Sequence, residues 1–349
     1  QPSFYDAHSI VFSSTRNGQT DIAKYDIDSE EISWISDTPA GGEYSPIRIA
    51  NSEDISAIRL DTTGLQRLYR YDATGKSTLV RENAKVGYHV WYSEDLLVNT
   101  ILTENRMDLV VSNVQDNSNR TVHKNVGRAL HKIPNSELVS FIGIQDGLES
   151  LHSIDPVSKE TKLISRLPDA TTDVCWLADG SLLVPEGNMI FRLKPNEENK
   201  KPELINLSNF KELHAISRMA VSPDGKQLAL VSEESPAKIV QKQVDSFNAR
   251  NLDAFVNCYA ENVVARNFPN DTLYVGHDKM RKNYSGLSPN TKGYAVEVVK
   301  RIVIGNQVID EEKVTGHGKT TMQVALYEVD NDKISSMTFI FDDTKAANP

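Results

Sequence analysis

Residues Lys238–Val263 read KIVQKQVDSFNARNLDAFVNCYAENV, and this stretch decides how the chain divides. Apolar side chains at Ile239, Val240, Val244, Phe247, Leu252, Phe255, Val256 and Tyr259 recur every three to four residues, the spacing of amphipathic helix. The break at Asn248-Ala249-Arg250-Asn251 separates two helices, and Asn251 suits the N-cap of the second. A third short helix follows Gly276, in HDKMRKNY. Alternating runs then predict strands over Tyr294–Ile304, Gln307–Gly316, Thr321–Val329 and Ile334–Phe341, the last after the tight turn Asp330-Asn331-Asp332. Helices first and an antiparallel sheet after them make an α+β domain over residues 238–343, with helices packed on one concave sheet face.

Upstream the period changes. Six strand pairs recur, their second strands centred near Phe12, Ala57, Val98, Ser140, Leu183 and Ala229, in steps of 41 to 46 residues. Turn chemistry repeats in phase, at Asn51-Ser52-Glu53-Asp54, Ser93-Glu94-Asp95, Pro134-Asn135-Ser136, Ala178-Asp179-Gly180 and Ser222-Pro223-Asp224-Gly225. A period near forty with about four short strands per unit predicts an all-β propeller over residues 1–234. One such unit leaves both faces of its sheet bare, and stacking around an axis covers them.

Several separate phrases of this part resemble the TolB-like family of six-bladed propellers. They are SSTRNGQTDIAKYD (13–26), GEYSP (42–46), QRLYRYD (66–72), GYHVW (87–91), GRALHKIP (127–134) and ISRMAVSPDG (216–225). In that family an N-terminal segment supplies two strands of the closing blade, whereas QPSF at the start here reads as the first strand of blade one. The resemblance therefore implies five full blades and an incomplete sixth, and points to the periplasm or cell exterior.

The phrases FNARNLDAFVNCYAENV, GHDKMRKNY and VALYEVDNDKISSMTFI resemble the SnoaL-like, ketosteroid-isomerase-like family, with its nuclear-transport-factor-two-like fold. The resemblance covers about 105 residues. It implies helices plugging a cone-shaped cavity against a curved sheet, and commonly a homodimer through that sheet. Members are isomerases, cyclases, dehydratases, hydrolases or plain ligand and dimer modules, so the fold chooses no chemistry. A steroid-type isomerase on this fold needs a base carboxylate, an oxyanion tyrosine and a protonated acid. The matching positions are Asn267 (ahead of Phe268-Pro269), Gln243, and Val324 or Ala325, so all three roles are vacant.

Other residues of this segment offer chemistry. In VIDEEKV, Val308, Asp310, Glu312 and Val314 share one strand face by the period of two. If that face lines the cavity, Asp310 or Glu312 acquires a raised pKa and serves as acid or base, with Tyr259 or Tyr284 as donor. If the face meets solvent, or pairs with Lys313, Lys319 or Arg301, the carboxylates are structural. Asn267, Phe268, Tyr327, Met337 and Phe339 are candidates for the pocket lining, with ordinary core packing as the plainer role. His277 reads as a capping or surface residue and His317 as a turn residue.

In the propeller, polar residues recur near the first strand of successive units: Glu43, His89, His131, Asp173 and Arg218, with Arg128 close by. First strands line a propeller's central channel, so these residues are expected at one channel mouth, where they would hold a divalent metal or a polar ligand, or only bond to neighbouring blades or channel water.

Charge and composition narrow the partners. The formal charge of −10 falls wholly upstream of Lys238, because the remainder carries 14 acidic and 14 basic residues. A surface of that sign repels phosphate backbones, which argues against nucleic acid. Apolar content of 39% without a long apolar run reads as globular, with no spanning helix. Cys175 and Cys258 lie in different domains and make no disulfide framework. No Gly-rich phosphate loop, Cys-x-x-Cys, His-Glu-x-x-His or Gly-x-Ser-x-Gly is present, so no cofactor or metal is implied. The expectation is a binding or interaction protein with a small hydrophobic ligand in the C-terminal cone. The alternative is an enzyme on a small hydrophobic substrate that uses Asp310 or Glu312.

Overall fold

The computed structural model describes residues 1–341 apart from 40, 83, 196–200, 208, 211–212 and 317. The chain divides into two compact units, one formed by Gln1–Asn209 with Ala215–Ser232, the other by Phe210–His214 with Glu233–Pro349.

The first unit is a β-propeller. Five four-stranded antiparallel meanders occupy residues 3–34, 41–79, 86–124, 126–166 and 175–205, and a two-stranded sheet occupies 213–234. Among the described residues these are five full blades and a sixth of two strands. Alternation along each strand makes the stacking work, because successive side chains serve opposite neighbours. In the third blade Leu97 packs back on Ile49, Ile58 and Leu68 of the second. The adjacent Val98 packs forward on Leu130, Val139 and Phe141 of the fourth. A polar stitch repeats two blades apart. Trp91 Nε1 donates to Ser56 Oγ at 2.8 Å, and Trp176 Nε1 to Ser140 Oγ at 2.8 Å, each crossing from one blade to the blade before it.

The second unit opens with helix α1 (Pro236–Asn248), whose N-cap Ser235 accepts from Lys238 N and whose first residue is proline. Helix α2 (Leu252–Asn257) is capped by Asn251, which accepts from Ala254 N at 3.0 Å. Strands β1 (Tyr259–Asn267) and β2 (Asp271–Val275) follow, then helix α3 (His277–Asn283) after Gly276, whose φ of 82° suits glycine. Strands β3 (Ala295–Ile304), β4 (Gln307–Gly316), β5 (Lys319–Asp330) and β6 (Lys333–Phe341) complete a six-stranded sheet in the order β2-β1-β6-β5-β4-β3. All neighbours are antiparallel except β1 and β6. A bulge between Val298 and Lys300 bends the β3 edge. The core joins Ile239, Val240, Phe255 and Val256 of the helices to Val263, Val308, Ala325, Ile334 and Met337 of the sheet.

Two strands depart from the sequence reading, which carried helix through Tyr259 and found four strands. The second helix stops at Asn257, and Tyr259 begins a strand paired with Ile334. Phe255 and Tyr259 fit a helical period, but the β-branched pair Val263-Val264 takes the following chain into the sheet, where Val263 and Ala265 are buried.

Removing the Asn251 cap should show that α2 depends on it. Asn251→Ala should lower the unit's stability by about 1 kcal/mol, and Asn251→Ser by a small fraction of that, in urea unfolding followed by circular dichroism.

Candidate functional site

The SnoaL-resembling sheet and its helices enclose a cavity of about 300 Å³. Helix α1 contributes Gln243 and Phe247, α2 contributes Phe255, and the residue capping α3 is Tyr284. The strands supply Tyr259, Asn267, Leu273, Val296, Glu312, Val314, Gln323, Tyr327, Met337, Phe339 and Phe341. Period two explains the selection: Gln323, Ala325 and Tyr327 of β5 face inward, opposite Glu312, Asp310 and Val308 of β4. The rings of Phe247, Phe255, Tyr259 and Tyr284 meet edge to face or tilted at centroid separations of 4.8–6.4 Å.

Among the described residues Glu312 is the only ionisable acid or base in this lining apart from the tyrosines. A directed hydrogen-bond chain ends on it. Tyr259 Oη donates to Gln243 Oε1 at 3.1 Å, Gln243 Nε2 to Tyr327 Oη at 3.2 Å, and Tyr327 Oη to Glu312 Oε1 at 2.8 Å. Gln323 Nε2 donates to Glu312 Oε2 at 2.8 Å. Burial pushes the Glu312 carboxyl above the usual glutamate range, against the pull of its two donors, and the charge of Asp310 adds to the rise. Burial also drives the Tyr259 and Tyr327 phenols far above ordinary tyrosine values, so both remain protonated donors.

Asp310 behaves differently. Its side chain is fully buried, yet it is outside the cavity lining. Arg301 grips it through two hydrogen bonds, Nε to Oδ1 at 2.7 Å and Nη2 to Oδ2 at 2.6 Å. The same guanidinium reaches Ala237 O and Gln241 Oε1, both at 3.0 Å, and so ties α1 to the sheet edge. The expectation of Asp310 as a cavity acid is corrected to this structural pair. Phe268 is also corrected: it is 64% exposed and outside the lining, while its neighbour Asn267 faces in. Tyr259, Tyr284, Tyr327, Met337 and Phe339 all lie on the cavity wall. His277 Nε2 sits 3.1 Å from the Tyr259 carbonyl, and His317 is outside the described residues. Sequence reading missed Gln323 and the linking role of Gln243. Counting back from Tyr327 in two steps of two, through Ala325, points to Gln323.

Two of the six propeller candidates share a cavity. A cavity of about 530 Å³ is lined by His89 and His131 but by none of the other four. His89 Nε2 bonds Ser56 Oγ at 2.7 Å, and burial holds the two imidazoles neutral, with pKa values pushed down to about 3 and about 4. Glu43 is buried against Arg59 Nε and Tyr71 Oη, each at 3.1 Å. Asp173 Oδ2 accepts from Met219 N at 2.9 Å, joining the fifth blade to the sixth. Arg128 Nη2 and Arg218 Nη1 both donate to Ser217 O, at 2.8 and 3.1 Å, and Arg218 lies over the Tyr88 ring. The in-phase polar positions are mostly stitches between or within blades, since a buried polar group at a blade edge needs a partner. Among the described residues no three His, Cys, Asp or Glu side chains gather as a metal site.

Residues 240–337 match the family model of the SnoaL-like domain. The second unit carries a SnoaL-like domain. No curated protein matches the chain. Solved structures similar to the SnoaL-like part include an NTF2-like protein of unknown function from Cytophaga hutchinsonii, 20% identical over 33% of this chain and 96% of that one, with a TM-score of 0.28. The propeller part is similar to an oligogalacturonate lyase in complex with manganese, 15% identical over 64% of this chain and 70% of that one, TM-score 0.47. An oligogalacturonate lyase from Vibrio parahaemolyticus is 8% identical over 65% of this chain and 84% of that one, TM-score 0.43.

Three substitutions test the electrostatics. In the SnoaL-like domain, Arg301→Met strands the Asp310 charge and should cost about 3–5 kcal/mol, while Arg301→Met with Asp310→Leu should recover most of it in denaturant titrations. In the propeller, burial raises the Asp173 pKa from 3.8 to about 7. The folded state therefore holds that proton more tightly than the unfolded chain. The stability this confers is full below about pH 4 and is lost as pH rises towards 7. Asp173→Asn keeps the acceptor for Met219 N but cannot ionise. It should melt near wild type at pH 4 and be more stable by roughly 2–4 kcal/mol at pH 8.

Proposed function

We propose that this protein is a binding module whose SnoaL-like domain takes one small, mainly apolar molecule into the cavity around Glu312. The observation that supports this most is the lining itself. Apolar and aromatic walls enclose about 300 Å³, and few polar groups converge there: Glu312, Gln243, Gln323, Asn267 and the tyrosine hydroxyls. An apolar cavity of about 150 Å³ accepts benzene, so this one suits a single ring with a short tail. The isomerase positions Asn267, Gln243 and Val324 or Ala325 still hold no carboxylate or tyrosine.

The outer face of the same sheet suits a second copy of the chain. Ile302, Ile309 and Leu326 form one cross-strand row, and Met322 and Ile340 lie exposed nearby. Charges of both signs, Glu297 with Lys313 and Lys300 with Glu311, flank them, as a self-complementary surface requires.

A second reading makes the domain an enzyme, with Glu312 moving a proton and Tyr259 or Tyr284 donating a hydrogen bond. It is favoured by the raised Glu312 carboxyl at the end of a relay of donors. Conversion of a bound compound by wild type, and its absence in Glu312→Ala, would distinguish this from binding alone.

Native mass spectrometry of the purified protein, followed by toluene titration with ligand-observed NMR, tests the main reading. A dimer and a small-molecule adduct lost on activation are expected, and Val314→Trp should weaken toluene binding about tenfold or more by filling the cavity. An adduct-free protein indifferent to toluene would sink it.

A further inference from the structure

The cavity presents an imbalance of charge. Glu312 is 2% exposed, and among the described residues no lysine, arginine or histidine joins it in the lining. The nearby guanidinium of Arg301 is committed to Asp310 by two hydrogen bonds. Glu312 receives only the neutral donors Tyr327 and Gln323, which occupy one position on each oxygen and leave two lone-pair sites for another donor. A carboxylate buried without a counter-charge is costly, and a cation supplied from outside relieves that cost. The rest of the wall is suited to the body of such a cation. Phe247, Phe255, Tyr259 and Tyr284 form a contiguous aromatic cluster on the cavity wall, and ring faces attract ammonium groups. An anion would face Glu312 with no compensating positive charge.

We propose that the ligand of this cavity is a small amine carrying one apolar ring, its ammonium paired with Glu312 and its ring against the aromatic cluster. This rests on the cavity-binding reading above and adds the sign of the ligand's charge.

Three probes of one shape separate the two claims: benzylamine, benzyl alcohol and benzoate, titrated into the full chain by calorimetry at pH 7.5. Benzylamine should bind about tenfold or more tightly than benzyl alcohol, and benzoate weakest. Acidification that protonates Glu312 should weaken the amine, because it removes the carboxylate charge while the amine keeps its own. Glu312→Gln should bring the amine-to-alcohol ratio close to one, with circular dichroism confirming that the variant is folded. If alcohol and amine bind wild type equally, the cavity reading stands and the amine assignment fails. If none of the three binds, both fail.

Discussion

Two carboxylates two residues apart on one strand set the terms for the whole C-terminal domain. Because side chains alternate, the register that buries Val308 also buries Asp310 and Glu312. Neither charge can be left bare in that interior. Asp310 is neutralised by a guanidinium that also holds α1 against the sheet, so its burial becomes part of the scaffold. Glu312 is met only by neutral donors, so its burial leaves a site with unspent electrostatic demand. The same strand thus carries one charge met by a guanidinium from β3 and one met by neutral donors from β5.

The propeller meets the same constraint with a different outcome. Its blades expose polar edges wherever a first strand turns toward the axis, and each buried group must find a partner. Ser56 and Ser140 Oγ accept from neighbouring indoles, Ser56 Oγ also bonds the His89 imidazole, and the Ser217 carbonyl accepts from two arginines. His89 and His131 stay neutral because desolvation outweighs any interaction that would protonate them. Polar residues recurring in phase with a repeat are therefore weak markers of a ligand site, since the repeat itself generates the need for them.

Much of the architecture was legible in the chain. The forty-residue step, the turn chemistry and the helical spacing after Lys238 are local periodicities, and each survives in the fold. So does the shared face of Val308, Asp310, Glu312 and Val314. The strand over Tyr259–Asn267 was not legible, because Phe255 and Tyr259 satisfy a helical period and only pairing with β6 overrides it. Phe268 was misplaced because it falls in the turn after that strand, where the alternation of faces no longer applies.

The sequence by itself determined which elements form, how often they repeat and which side chains point the same way, because these follow from spacing along one strand or helix. Only the tertiary structure decided which of two equivalent inward carboxylates met Arg301 and which met Tyr327 and Gln323. That choice depends on the residue placed opposite by strand register, and no pattern within β4 encodes it.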